Sequence, residues 1–310
     1  MTDNLDRRTF LAAAAGVAGA AWIEPQQPAR KTRLILLGTG GGPRPKPQNN
    51  ATAHVIIAGG LLYVVDCGDG VAHQLALAGA SLDKLRHVFI THHHSDHNAD
   101  YGNLLLLSWA SGLRTPVDTW GPPPLARITR LFFEMSAYDI DVRIADEGRV
   151  PLVPLIHAHE LPGPGPVLRD ETVAVTSALV NHPMVTPAYG YRFDAADRSI
   201  VFSGDTTFSD NLVQLARGAD VLVHEALYLP AVDRLVARVP NAATLKKHLL
   251  ASHTSAEDCG RVAAAAGVKT LVLSHFVPPD DPLVTEHMWI DAARRHFTGE
   301  IIAGRDLMEI

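Results

Sequence analysis

The ten residues FITHHHSDHN, from Phe89 to Asn98, hold four histidines and one aspartate. Few surroundings tolerate that density. A buried imidazole needs a partner at both ring nitrogens, so a plain apolar core has no use for four of them. A solvated loop could hold them, but Val88-Phe89-Ile90 just upstream reads as the end of a buried strand. A metal site at a strand end meets both constraints. Imidazole and carboxylate are borderline ligands that suit zinc, with manganese or iron as alternatives.

The rest of the chain repeats the arrangement. VTSALVN leads to His182, IVFSG to Asp205 and TLVLS to His275, each an apolar run delivering one polar group. Loops at the ends of rigid strands are where chemistry tends to sit. Read singly, His182 and His275 could be satisfied core histidines, and Asp205 a turn former using its side chain on its own backbone. Beside the cluster, they join His92, His94, Asp96 and His97. Five histidines and two aspartates suit two divalent ions sharing one carboxylate, with coordination positions left for water. His93 has the wrong parity and is left out. A second His-x-His, His157 and His159 in LIHAHEL, is followed by no Asp-His pair. It reads as a β segment with both rings on one face rather than as a metal site.

Elsewhere, RLILLG and the pair around Gly59-Gly60 read as strands with a hairpin. Helical composition marks VAHQLALAGA, ADYGNLLLLSWAS, PPPLARITRLFFEM, NLVQLARG, TSAEDCGRVAAAAG and LVTEHMWIDAARRHF. Thr254 or Ser255 could cap the penultimate of these, with Glu257 and Asp258 in its first turn. The segment from Tyr138 to Asp170 resists assignment and reads as short strands and a long connection. Strands and helices in both halves imply an α/β domain with a mixed sheet or two packed sheets.

Residues 1–30 stand apart. Arg7-Arg8 precedes a short Ala/Gly-rich apolar stretch and a Pro/Gln linker, the pattern of a twin-arginine-type signal peptide. That predicts a periplasmic or secreted protein whose catalytic domain spans 31–310, with no membrane span in the mature chain. Two cysteines, Cys67 and Cys259, are too few for a disulfide framework. The net charge of −6 tilts against a nucleic-acid partner.

His92-x-His94-x-Asp96-His97 resembles the signature of the metallo-β-lactamase superfamily. DCGDG, NHP, FSGDT and LSHF, in that order, resemble its other motifs. The likeness runs from about Arg33 to the C-terminus and implies an αβ/βα sandwich of two mixed β-sheets flanked by helices. It also implies the ligand sets: His92, His94 and His182 for one metal, Asp96, His97 and His275 for the other, and Asp205 bridging. Asp66 would orient a ligand histidine, and Asp69 would cap the helix after it. Two zinc ions would make hydroxide available near neutral pH, Asp96 orienting it or taking its proton, for hydrolysis of an ester. VLVHEALY and HTSAEDCGRVAAAAGVKTLVLSHF look like segments of tRNA 3′-processing endonucleases, in which Glu225 and His253 would assist the leaving oxygen. Those endonucleases carry a substrate-clamping arm between the third-motif histidine and the bridging aspartate, where this chain has room only for a hairpin. SDHNADYGNLLLLSWASGL and DIDVRIADEGRVPL look instead like the exported arylsulfatase-like branch. The expectation is therefore an arylsulfatase-like hydrolase of a small sulfate or phosphate ester, with no nucleic-acid partner. Trp109, Trp120, Phe133 or Tyr138 would edge its pocket, and relatives of this kind suggest a homodimer. The tRNA-processing endoribonuclease or phosphodiesterase is the alternative.

Overall fold

In the computed structural model, residues 31–240 and 242–310 are described; the signal-peptide reading of 1–30 falls outside them. The first half of the chain lays down β1 (Arg33–Gly38), β2 (Ala53–Ala58), β3 (Leu61–Val65), β4 (Leu85–Phe89), β5 (Val117–Gly121) and β6 (Ile156–Glu160). The second half lays down β7 (Gly165–Arg169), β8 (Val173–Leu179), β9 (Tyr189–Ala195), β10 (Ser199–Phe202), β11 (Val221–Leu227), β12 (Thr270–Val277) and β13 (Glu300–Ala303). The last strand, β14 (Met308–Glu309), returns to pair with β1.

Two seven-stranded sheets result, ordered β14-β1-β2-β3-β4-β5-β6 and β13-β12-β11-β10-β9-β8-β7. Each is antiparallel at one end and parallel at the other: β3 to β6 run parallel in the first, β10 to β13 in the second. Apolar residues on the inner faces, such as Leu36, Ile56, Phe89, Tyr191 and Phe202, form the layer between the sheets. The opposite faces are covered by helices. Val64, Val88 and Ile90 pack under α1 (Val71–Leu77), α3 (Tyr101–Ala110) and α4 (Leu125–Glu147). Val201, Leu222 and Leu271 pack under α5 (Asp210–Leu215), α8 (Ala256–Ala266) and α9 (Glu286–Arg294). Among the described residues, the remaining α-helices are α2 (Ser95–Asn98), α6 (Val232–Ala237) and α7 (Leu245–Ser252). This is the expected sandwich of two mixed sheets flanked by helices. Among the described residues no helix is long and apolar enough to cross a membrane.

Two local expectations change. The segment from Tyr138 begins not as short strands but as the last ten residues of α4. Its alternation in DIDVRI imitates a strand, yet Ile140 is buried and Ile144 packs against the core. Arg143 ties the turns together through Asp139 at 3.0 Å and Glu147 at 2.8 Å, both four residues away. Asp69 is exposed and caps nothing; Gly70 occupies the cap position of α1 with φ 84° and donates its N–H to Asp100. Ser255 caps α8 as expected, accepting from the Asp258 N–H.

Candidate metal centre

Both sheets present their strand ends at one edge of the sandwich, and the polar groups converge there. Strand β3 runs into Asp66, whose backbone takes φ 61°. β4 runs into Thr91 and His92, and α2 turns Asp96 and His97 inward. From the other sheet come His182 after β8, Asp205 after β10, Glu225 within β11 and His275 within β12. His253 closes the C-terminus of α7.

Ring nitrogens of His92, His94 and His182 meet, with His94 Nδ1 at 3.1 Å from both His92 Nε2 and His182 Nε2. Asp96, His97 and His275 form the adjoining group. Asp205 stands between them: Oδ2 faces His92 Nε2 at 3.9 Å, while Oδ1 is 3.3 Å from both His97 Nε2 and His275 Nε2. Ligands about 2.0 Å from a tetrahedral ion stand roughly 3.3 Å apart, so these spacings suit cations. The fit has an independent test. His97 Nε2 and Asp205 Oδ1 are buried and face each other, yet neither makes a hydrogen bond. A native interior rarely leaves such a pair bare, and a cation held between them would satisfy both.

Charge points the same way. Burial pulls the His97 imidazole down, but the carboxylates of Asp205, Asp66 and Asp96 outweigh it and hold its pKa well above the ordinary histidine value. Burial would raise the Asp205 carboxyl, yet the His275, His97 and His92 rings keep it well below the carboxylate range. The site thus demands positive charge. His92 and His182 are pushed down by burial, His182 to about 4, which favours the neutral form that binds metal.

The surrounding shell fixes which nitrogens point inward. Asp66 Oδ2 accepts a hydrogen bond from His97 Nδ1–H at 2.8 Å, while its Oδ1 accepts from the Thr91 N–H. His182 Nδ1 faces the Ser252 carbonyl at 3.2 Å. Gly41 must be a glycine, because a Cβ there would stand 2.6 Å from His275 Nδ1. We expect Asp66→Asn to weaken metal binding about 10–100-fold by releasing the His97 tautomer. Competition with a chromophoric chelator measures this, and an unchanged affinity would contradict the assigned role.

Glu225 and His253 lie beside Asp205. Glu225 Oε1 accepts from the Thr206 and Thr254 N–H groups, which turns Oε2 toward His253 Nδ1 at 3.3 Å. Burial lowers His253, but Glu225, Asp205 and Asp96 raise it to about 9. His93 stays outside the centre, its Nε2 on the Pro122 carbonyl.

A cleft of about 320 Å³ opens onto His94, Asp96, Asp205, His253 and His275. Arg44 and Lys46 line it, as do Leu235, Val239, Leu245 and Leu249 of the α6–α7 segment. The aromatics expected at its rim are elsewhere. Trp109 and Phe133 are buried under the helical layer, Trp120 stacks on His159, and Tyr138 is 84% exposed on α4. His248, which was not singled out from the sequence, lines the cleft with its ring 6.1 Å from His94 and 5.7 Å from His253. Its spacing of five residues before His253 was the available signal.

Similarity to known proteins agrees with this geometry. The family described as "Beta-lactamase superfamily domain" matches residues 62–276. Ribonuclease Z of Mycobacterium bovis (strain BCG / Pasteur 1173P2) is 34% identical over 280 residues, covering 89% of this chain and 97% of that protein. Ribonuclease Z of Mycobacterium avium (strain 104) is also 34% identical, over 282 residues, with the same coverage. Among solved structures, the short form of human tRNase Z superposes with a TM-score of 0.66 at 22% identity, covering 90% of this chain and 98% of that one.

These relatives overturn the arylsulfatase-like expectation and, with it, that of a small ester substrate and no nucleic acid. The residues that suggested it, apart from Ser95 and Asp96, lie in the rest of α2, in α3, at the end of α4 and in the turns beside them, outside the cleft lining. The overall charge of −6 was a poor guide because Arg44 and Lys46 gather at the cleft. The periplasmic or secreted expectation finds no support either: the relatives that match this chain are ribonucleases Z, and residues 1–30, which suggested export, lie outside those described.

Proposed function

Because the chain belongs to the metallo-β-lactamase superfamily and, within it, to the ribonuclease Z family, we propose that it is a divalent-metal-dependent endoribonuclease that trims the 3′ end of precursor tRNA. One observation carries this reading: the match to ribonuclease Z relatives over 97% of their length. The short connection from His182 to Asp205 is no obstacle. An alignment of 280 residues covering 89% of this chain leaves no room for a long arm in the relative that this chain lacks.

The catalytic domain is then 31–310. His92, His94 and His182 would hold one cation and Asp96, His97 and His275 the other, with Asp205 shared between the two groups; zinc suits the donors best. Two such cations, when bound, acidify a water and neutralise charge developing on the phosphate. The chain supplies the rest. Asp96 Oδ2 accepts from the Gly42 N–H at 2.6 Å and faces the His97 and His275 rings, so Oδ1 is the oxygen that orients the attacking water and takes its proton. Glu225 holds His253 charged and in place, and His253 gives its proton to the leaving ribose oxygen. Arg44 and Lys46 attract the phosphates on either side of the cut, and the apolar wall of α6 and α7 takes the flanking sugar or base.

The test is single-turnover cleavage of a tRNA precursor with a 3′ extension, compared with an unstructured RNA of the same length. One product ending at the mature tRNA is expected, with at least about a 100-fold preference for the precursor. Equal cutting of both RNAs, or no cutting by zinc-loaded protein, would reject the assignment.

A further inference from the structure

One polar ring in the cleft has no part in the reaction as described. His248 projects from α7, the helix that ends at His253, and lines the cleft with His94 and His253. Its ring centroid lies 6.1 Å from that of His94 and 5.7 Å from that of His253, near-perpendicular to both. The three rings frame one corner of the cleft, between a ligand of the first cation and the acid that protonates the leaving oxygen. Packing sets the ring's place: the next residue, Leu249, is buried in a cluster with Leu227, Val232, Leu235 and Val277. Only one of its nitrogens is engaged. Nδ1 faces Ser252 Oγ at 3.3 Å, and among the described residues Nε2, on the opposite side of the ring, makes no hydrogen bond. The serine contact allows either tautomer, so Nε2 can donate or accept. A hydroxyl, at once donor and acceptor, matches both forms, whereas a phosphate oxygen only accepts.

An RNA brings one hydroxyl to this corner. The oxygen that leaves is a ribose 3′-oxygen, and the 2′-hydroxyl sits on the adjacent carbon of the same sugar. With the 3′-oxygen at His253, that hydroxyl falls on the side where His248 stands. Resting on the tRNA-trimming reading, we propose that His248 Nε2 hydrogen-bonds the 2′-hydroxyl of the nucleotide whose 3′-oxygen leaves, and so makes the cut selective for ribose. The 2′-hydroxyl is the group by which a protein tells RNA from DNA at a given position, and a side chain that hydrogen-bonds a substrate hydroxyl rejects the analogue lacking it. Arg44 and Lys46 cannot make that distinction, because the phosphates they attract are the same in both nucleic acids.

The test places a single 2′-fluoro nucleotide immediately before the cut in a tRNA precursor. Fluorine keeps the ribose pucker and the acidity of the neighbouring oxygen but cannot donate a hydrogen bond and barely accepts one, so a penalty reports the lost contact. Under single turnover, zinc-loaded wild type is expected to cut the fluoro precursor at least about tenfold more slowly than the all-ribose one. In His248→Ala the all-ribose precursor slows by a similar factor, zinc content is unchanged, and the fluoro penalty shrinks to about twofold or less. His248→Gln, whose amide can reach the same hydroxyl, keeps part of the penalty. The same pattern is expected in the affinity for trimmed tRNA ending in either sugar, which needs no turnover. A fluoro penalty that persists undiminished in His248→Ala, or that is absent from the wild type, overturns the proposal and leaves the trimming activity standing. A wild type that cuts neither precursor overturns both.

Discussion

Stripping divalent cations from the folded protein lowers its Tm by at least about 8 °C, a value that follows from linkage. An ion at about 1,000 times its Kd contributes roughly 4 kcal/mol to the folded state, and a domain of this size loses about 2–4 °C per kcal/mol. The physical cause is visible in the site. Without cations, Asp66, Asp96 and Asp205 crowd His97 inside the protein, and His97 Nε2 and Asp205 Oδ1 stay buried without partners. Removing the ions leaves that desolvation cost uncompensated. Thermal melts of chelated and zinc-reloaded protein, with metal content measured on the same samples, make the comparison. A Tm that does not move after verified metal loss contradicts the fit of these side chains to metal.

The second large effect concerns the proton given to the leaving oxygen. His253→Ala is expected to lower kcat on a tRNA precursor by about 10²–10⁴-fold, the usual worth of a positioned acid, while metal content and KM change little. Glu225→Gln should act more mildly in the same direction. It keeps an acceptor for the Thr206 and Thr254 N–H groups but loses the charge that holds the His253 proton. Loss of metal in His253→Ala would instead mark His253 as part of the metal cage, since it also lies 3.8 Å from Asp205 Oδ2.

Much of this centre could be read from sequence because its parts are local. His92, His94, Asp96 and His97 lie on one loop, and each distant partner follows an apolar run that fixes it at a strand end. What escaped was set by tertiary structure. The residues of α6 and α7, unassigned from sequence, form the apolar side of the cleft and bring His248 to it. DIDVRI looks like a strand until Ile140 and Ile144 find the core on one helical face. The substrate was misjudged for a related reason. Trp109, Phe133 and the segments resembling another branch serve the outer helical layer, and their composition reports packing.

The most direct test measures zinc stoichiometry and precursor-tRNA cleavage together, in the wild type and in Asp205→Ala. A centre bridged by Asp205 predicts two zinc ions per chain and specific 3′ cleavage in the wild type. In the variant it predicts one ion or fewer and cleavage reduced at least about 1,000-fold. A variant that keeps both ions and still trims the precursor would contradict the bridged centre.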